Sequence, residues 1–181
     1  MGMPLLHYDP ADCNDSSLKH GLGQKAWFAG SPSSAQGEYQ YVQFEDAVTY
    51  AAGQHVWWDD ADGFEVTNDE SSAEADWVTA GFCMRVMTTT YYGWILKRGY
   101  HAAAVKKAGD DSLVPGEQMI PDYATPTDGT IVSYLCDPGT PGDPSDAELQ
   151  ELQRACVFST IQVAGNSTDA ADTVPIFCDL I

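Results

Sequence analysis

Short apolar runs separated by turn-forming residues are the feature that most constrains how this chain can fold. From Tyr39 onward, segments rich in Val, Ile, Thr and aromatic residues recur between clusters of Gly, Pro and Asp. This alternation of short apolar runs with turn-forming clusters is typical of all-β sandwiches and barrels. The sequence therefore predicts an all-β fold, a small β-barrel or β-sandwich, with strands near 39–50, 54–58, 64–67, 79–87, 92–98, 101–107, 117–120, 130–135, 155–163 and 174–179.

Two stretches differ from this strand-rich texture. Residues 1–38 are interrupted repeatedly by Gly and Pro and show no sustained hydrophobic period, so we expect an extended N-terminal arm ahead of a β-domain over 39–181. Ser145 or Asp146 is suited to cap one short helix over 146–153, within an acidic loop and helix insertion around 122–153. The 181 residues are enough for one such domain with its additions.

The charge balance excludes several classes of partner. Asp and Glu number 27 against 8 Lys and Arg, which gives a formal net charge of -19 and predicts repulsion from the phosphate backbone of nucleic acids. No apolar run is long enough to span a bilayer, and no basic segment followed by a long apolar one opens the chain. We therefore expect neither a nucleic-acid partner nor a membrane partner.

The few basic residues are concentrated in one stretch. Residues 26–84 hold 11 acids and 108–153 hold 10, both without any Lys or Arg, whereas 77–107 hold five bases and no acid. Either these bases pair with acidic neighbours of the same molecule, or they form a cationic docking face on an anionic body. The candidate contact residues are Arg85, Lys97, Arg98, Lys106 and Lys107.

Motifs of enzyme chemistry are not evident along the chain. The sequence contains no GxSxG, GxGxxG or GxxxxGK[ST] run, and its four histidines are dispersed without an HxxxH or HExxH pair. The acidic stretch 59–65 departs from a calcium loop, because Trp58 would take the first ligand position, and Asp62-Gly63 suits a hairpin turn instead. We expect no enzyme activity, no metal and no cofactor.

The cysteines favour free thiols over a disulfide framework. Their number is odd and the closest two are 20 positions apart, so no metal-binding spacing is present. Buried thiols of a protein made in a reducing cytoplasm are the simplest interpretation for Cys13, Cys83, Cys136, Cys156 and Cys178.

Four segments in the middle of the chain carry a resemblance to a known family. They are 79–87 (TAGFCMRVM), 91–99 (YYGWILKRG), 103–110 (AAVKKAGD) and 113–119 (LVPGEQM). In this order they resemble the strand pattern of head decoration proteins, also called capsid cement proteins, of tailed phages. The preceding 52–64 is similar to the family's hairpin, and 155–161 and 173–181 are similar to its closing strands.

The resemblance implies a structural virion protein that binds the outer surface of an icosahedral capsid and stabilises it. Its partners would be the major capsid protein and copies of itself, in a homo-oligomer such as a trimer, after synthesis in the host cytoplasm. In this interpretation the five bases make electrostatic contacts with the capsid, while the arm crosses to a neighbouring subunit. The expected arm anchors are Leu5, Leu6, Trp27 and Phe28.

Two other classes of function remain open. A carbohydrate-binding or head-fibre adhesion module would expose Trp57 or Tyr91 on a shallow groove, because flat rings stack on sugar faces; the same rings are also suited to a core. A small hydrolase would place one His within hydrogen-bond reach of an acid or a thiol in a cleft.

Overall fold

The protein is described by a computed structural model that covers residues 3–31, 35–45, 49–60, 63–69, 79–106, 113, 115–116, 118–121, 129–133, 160–165 and 173–180. These residues form one short 3₁₀ turn, Pro10–Asp12, and ten strands. The strands are β1 (Lys25–Phe28), β2 (Gly37–Phe44), β3 (His55–Asp60), β4 (Glu65–Thr67), β5 (Thr79–Cys83), β6 (Tyr92–Val105), β7 (Gln118–Pro121), β8 (Ile131–Ser133), β9 (Thr160–Val163) and β10 (Thr173–Asp179). The predicted all-β class is confirmed.

Five of the strands close into a barrel. Strand β2 pairs in parallel with β4, and antiparallel pairings then link β4 to β3, β3 to β5, β5 to β6 and β6 back to β2. Closure removes the exposed edges that an open sheet of this size would present to other chains. The barrel is therefore a self-contained unit to which the remaining strands are added.

Strand β6 connects the barrel to the remaining strands of the sheet. Its first half lies between β2 and β5 in the barrel, whereas its second half pairs with β10 over Arg98–Val105. Strands β9, β7 and β8 continue the sheet beyond β10. The predicted strands at 92–98 and 101–107 are thus parts of one element that joins the barrel to the second set of strands.

Alternating side chains of the barrel strands build two cores. One cluster draws on all five barrel strands and contains Val42, Phe44, Val56, Val66, Ala80 and Ile95. The other lies on the opposite face of β6, where Trp94 and Leu96 pack with Tyr39 and Tyr41 of β2 and with residues of β1, β9 and β10. Because β2 is covered on both faces, seven of its eight residues are buried.

The N-terminal segment corrects the prediction of an extended arm over 1–38. Strand β1 pairs antiparallel with β2, and Leu6 and Phe28 lie in the core of their own chain. Pro4–Leu6 then covers the outer edge of β1, because Leu6 N–H donates to Trp27 O and Trp27 N–H donates to Pro4 O, both at 2.8 Å. The Lys-Ala-Trp-Phe strand is short and is surrounded by loop formers, so the sequence signal for it is weak.

Some predicted features lie outside the described residues. These are the helix over 146–153, most of the acidic insertion around 122–153, the Asp62 position of the predicted hairpin turn, and the cysteines Cys136 and Cys156. The described cysteines, Cys13, Cys83 and Cys178, are buried and free, as expected.

Gly53 offers a direct test of how tightly the turn before β3 is packed on β6. Its φ is +83°, and a Cβ there would lie 2.0 Å from Ala103 O, whereas Gly116, with φ +90°, would place a Cβ within 4 Å of no described atom. We expect Gly116→Ala to lower the free energy of unfolding by about 1–2 kcal/mol through the backbone strain alone. Gly53→Ala adds the steric overlap of the new Cβ with Ala103 O of β6 and should lower the free energy of unfolding by roughly 2–5 kcal/mol.

Urea unfolding of both variants measures the difference, with Gly116→Ala as the matched control. Equal losses of stability in the two variants would contradict the close approach of the Gly53 turn to β6.

Candidate functional site

A β-bulge at one end of the barrel sets the position of the most basic part of the chain. In the β2–β6 register, Tyr39 is opposite Leu96 and the preceding Glu38 is opposite Arg98, so Lys97 is the additional residue on β6. A bulge re-aims the side chain of its additional residue. Lys97 is only 1% exposed, and its Nζ lies 5.5 Å from the centre of the Trp58 ring, at a distance typical of a cation–π contact.

Two bases contact one buried carboxylate at this end of the barrel, close to Lys97 in the fold. The Glu38 side chain, 10% exposed, forms ion pairs with Lys25 at 3.3 Å and with Arg98 at 3.8 Å. Arg98 Nε also donates to Asp179 Oδ1 of β10 at 2.6 Å. We call the group formed by Lys25, Glu38, Lys97, Arg98 and Asp179 the basic cluster, because its three bases outnumber its two acids.

Burial governs the protonation of the innermost groups. Desolvation and the nearby charge of Lys25 lower the pKa of Lys97 to about 8, although Glu38 acts in the opposite direction. His55 is also completely buried, and desolvation together with the charge of Lys97 lowers its pKa to about 3. Its ring stays neutral and packs edge-on against Trp57, with centroids 4.5 Å apart. Neither ring nitrogen of His55 has a hydrogen-bond partner among the described residues.

The structure brings together only part of the predicted basic face. Lys97 and Arg98 meet at the barrel end, but Arg85 is half-buried elsewhere and donates to Ala11 O at 3.3 Å. Lys106 is 3% exposed and its backbone forms an isolated β-bridge with Ile131, so Lys106, like Lys97, is a buried base and not part of an exposed face. Lys107 lies outside the described residues.

Sequence reasoning missed Lys25 and Glu38 as members of the cluster. They lie on the neighbouring strands β1 and β2. Lys25 is opposite Gln40, and Glu38 is two positions before Gln40 on β2. An isolated Lys immediately before an acid-rich stretch is the only sequence signal for Lys25, and it becomes meaningful only once the pairing of β1 with β2 is known.

The predicted arm anchors divide into buried and accessible residues. Leu6 and Phe28 are each 7% exposed and are used by the core of the chain itself. Leu5 is 51% exposed, and Trp27 is half-buried. Leu5 and Trp27 are therefore the two predicted anchors that retain surface for a neighbouring subunit.

The two aromatic positions expected of a carbohydrate-binding module are not equally accessible. Trp57 is 2% exposed, and Tyr91 is half-buried at the turn before β6. The Trp57 ring therefore offers no face on which a sugar could stack.

A second group of polar side chains lines a small cavity formed by the N-terminal segment. It brings Cys13, Asp15 and His20 near one another, as the hydrolase alternative requires. His20 Nε2, however, contacts the hydroxyl of Tyr8 at 2.5 Å, and the Cys13 thiol donates to Asp15 Oδ2 at 2.9 Å. Burial, together with the neighbouring Asp15, raises the pKa of Cys13 to about 12, so this thiol is not a nucleophilic thiolate at neutral pH.

Comparison with known proteins does not assign this chain to a family. No protein-family model matches it, and the search of curated proteins returns no match. Within the described ranges, no three His, Cys, Asp or Glu side chains are placed to hold a metal ion together. Among those same residues, no helix has the length and apolar character to cross a membrane.

The buried Lys97 predicts a characteristic dependence of stability on pH. Its pKa is depressed from 10.5 to about 8, so the folded state loses this proton earlier than the unfolded state does. Stability should therefore rise with pH between about 8 and 10.5, by up to about 1.4 kcal/mol per pH unit. Lys97→Met removes the buried charge and should raise the free energy of unfolding at pH 7 by roughly 1–3 kcal/mol.

Urea unfolding of the wild type and Lys97→Met from pH 7 to 9.5 checks this expectation. The gap between the two proteins should shrink above pH 8, whereas the gap between the wild type and the control Lys19→Met should stay constant, because Lys19 is 61% exposed. A constant gap for Lys97→Met would mean that Lys97 titrates normally.

Proposed function

We propose that this protein is a structural virion component that binds the outer surface of an icosahedral capsid and stabilises it, and that it docks through the basic cluster at the barrel end. The observation that carries the proposal is the pairing of Lys25 and Arg98 with Glu38, next to the buried Lys97, in a chain of net charge -19. The sequence resemblance to head decoration proteins independently supports this type of function.

The basic cluster combines accessible and buried charges in a way that suits docking. Arg98 and Lys25 have side chains that are 50% and 45% exposed, so both can reach a carboxylate on another protein. Lys97 is buried against the Trp58 ring and adds a third positive charge to the cluster. A positive region on an otherwise acidic protein is attracted to an acidic patch on a partner, whereas the acidic faces of the protein are repelled by that patch. The protein is therefore oriented as it approaches.

The closed barrel supplies the rigidity that a stabilising protein requires. A protein that binds only the assembled shell shifts the equilibrium toward assembly by mass action. A rigid docking element loses little conformational entropy when it binds, so more of its contact energy is available for that stabilisation. The proposed partners are the major capsid protein and other copies of this chain, arranged for example as a trimer on the virion surface after synthesis in the host cytoplasm.

The N-terminal segment has a smaller part in this mechanism than the sequence predicts. Leu6 and Phe28 belong to the core of the chain itself, so they cannot also anchor an arm on a neighbour. We propose that Leu5 and Trp27 contribute a secondary contact and that the electrostatic contact at the barrel end is the principal one.

Charge reversal at the barrel end tests the docking proposal. Arg98→Glu and Lys25→Glu should each weaken binding to capsids assembled without the protein by at least about tenfold at low salt, because each places an acid where an attractive base stood. The difference in capsid affinity between each variant and the wild type should become smaller as the salt concentration is raised, since salt screens accessible charges. Co-sedimentation of the protein with such capsids over a range of salt concentrations measures it.

Lys19→Glu is the matched control, because it makes the same charge change far from the cluster. The segment that carries Lys19 is tied to β6 at Tyr92, six residues and thus about 20 Å along the strand from Arg98. Unchanged binding of Arg98→Glu and Lys25→Glu across all salt concentrations would contradict the docking face. Binding to a glycan array with no affinity for capsids would support the adhesion alternative instead.

A further inference from the structure

A cavity of about 250 Å³ lies where the N-terminal segment crosses the start of β6. The segment is held there by two backbone hydrogen bonds between Asp15 and Tyr92, each 2.9 Å long. The side chains that line the cavity are Tyr8, Asp12, Cys13, Asp15, Lys19 and His20. The docking of the basic cluster makes no use of this region.

The two carboxylate oxygens of Asp15 have different roles. Oδ2 accepts hydrogen bonds from the Cys13 thiol at 2.9 Å and from the Tyr41 hydroxyl at 3.2 Å, both donated by buried residues. Oδ1 is bound by Lys19 Nζ at 2.7 Å. The Asp15 side chain is 12% exposed and is fixed by the two buried donors, whereas the Lys19 side chain is 61% exposed. Because an ion pair with an exposed Lys is weak, Lys19 is bound only weakly to Asp15.

Asp15 remains ionised in this setting. Burial alone would raise its pKa, but the hydrogen bonds from Cys13, Lys19 and Tyr41 outweigh the burial and leave the pKa of Asp15 below its ordinary value. The exposed Asp12 lines the same cavity. A cation that replaces Lys19 would thus meet the Asp15 carboxylate in a cavity that the Asp12 side chain also lines.

Two of the residues that line the cavity, Tyr8 and His20, carry rings, and these rings pack on the buried Trp94 and Tyr41. The Tyr8 and His20 rings are stacked with centroids 5.8 Å apart, and His20 lies 5.3 Å from Trp94 and 4.9 Å from Tyr41. Trp94 Nε1–H donates to the Tyr8 hydroxyl at 2.7 Å, and the same hydroxyl is hydrogen-bonded to His20 Nε2 at 2.5 Å. These bonds fix the rings, and the faces of aromatic rings attract cations.

We propose that this cavity binds a primary ammonium group, the lysine side chain of a partner protein, with Asp15 as its counter-ion and with Lys19 displaced to solvent. Oδ1 of Asp15 already binds the ammonium of Lys19, and a single oxygen suits the point charge of an ammonium better than the two-pronged fork of a guanidinium. A volume of about 250 Å³ is below the range of pockets that hold whole drug-sized ligands, which favours a single side chain.

Titration of the protein with Nα-acetyl-L-lysine N-methylamide tests the proposal without any capsid. The indole N–H resonance of Trp94 is the readout, because that group donates to Tyr8 at the wall of the cavity. We expect a saturable shift with the lysine derivative, none with the uncharged norleucine derivative, a weaker response with the arginine derivative, and only weak binding of methylamine, which lacks the four-carbon stem.

Two variants test the roles of the charges while leaving the buried bonds of Asp15 with Cys13 and Tyr41 intact. Lys19→Met removes the internal cation and should tighten binding of the lysine derivative by roughly two- to fivefold. Asp12→Asn removes the second carboxylate and should weaken it by roughly two- to fivefold.

Three outcomes would overturn the proposal. The first is an equal shift with the norleucine derivative, and the second is unchanged affinity in Lys19→Met. The third is methylamine binding as strongly as the lysine derivative, which would exclude recognition of a lysine side chain. Because none of these measurements involves the basic cluster, failure here leaves the docking proposal standing, and failure of capsid binding leaves this one standing.

Discussion

The antiparallel pairing of β6 with β2 is the interaction on which the rest of the structure depends. It closes the five-stranded barrel and buries both faces of β2, which places Trp94 in one core and Ile95 in the other. Beyond the barrel, the same β6 pairs with β10 and supports the additional strands. A change in this register by one residue would exchange the two faces, and the cores with them.

The bulge within that pairing accounts for the unusual position of Lys97. A regular ladder would place Lys97 directly opposite a residue of β2, whereas the bulge leaves it without a β2 partner and its ammonium lies over the Trp58 ring. A buried ammonium costs free energy unless charged or polarisable neighbours compensate for it. Glu38 and the Trp58 ring provide part of that compensation, but desolvation and the charge of Lys25 still lower the pKa of Lys97. Perturbed pKa values are frequent at functional sites, and this is one reason for which we propose docking at this end.

The sequence predicted the fold class and some members of the candidate site, but not the arrangement of that site. Alternation of apolar and polar residues is a local property, so most strands were predicted close to where they lie. Strand β1 was missed, because four residues among loop formers carry too little pattern; its pairing with β2 comes from tertiary contacts. The run of bases from Arg85 to Lys107 indicated Lys97 and Arg98, yet it could not show that Lys106 is buried or that Lys25 joins them.

By itself, the sequence determined that the chain is an acidic, strand-rich protein whose bases are concentrated in one stretch, since composition and periodicity do not depend on distant contacts. Only the tertiary structure decided which charges meet. Lys25, Glu38 and Arg98 come together because three strands are hydrogen-bonded side by side. The N-terminal cavity likewise exists only because the segment from Tyr8 to His20 packs across β6. Both sites depend on contacts between residues far apart in the chain, which local sequence patterns do not encode.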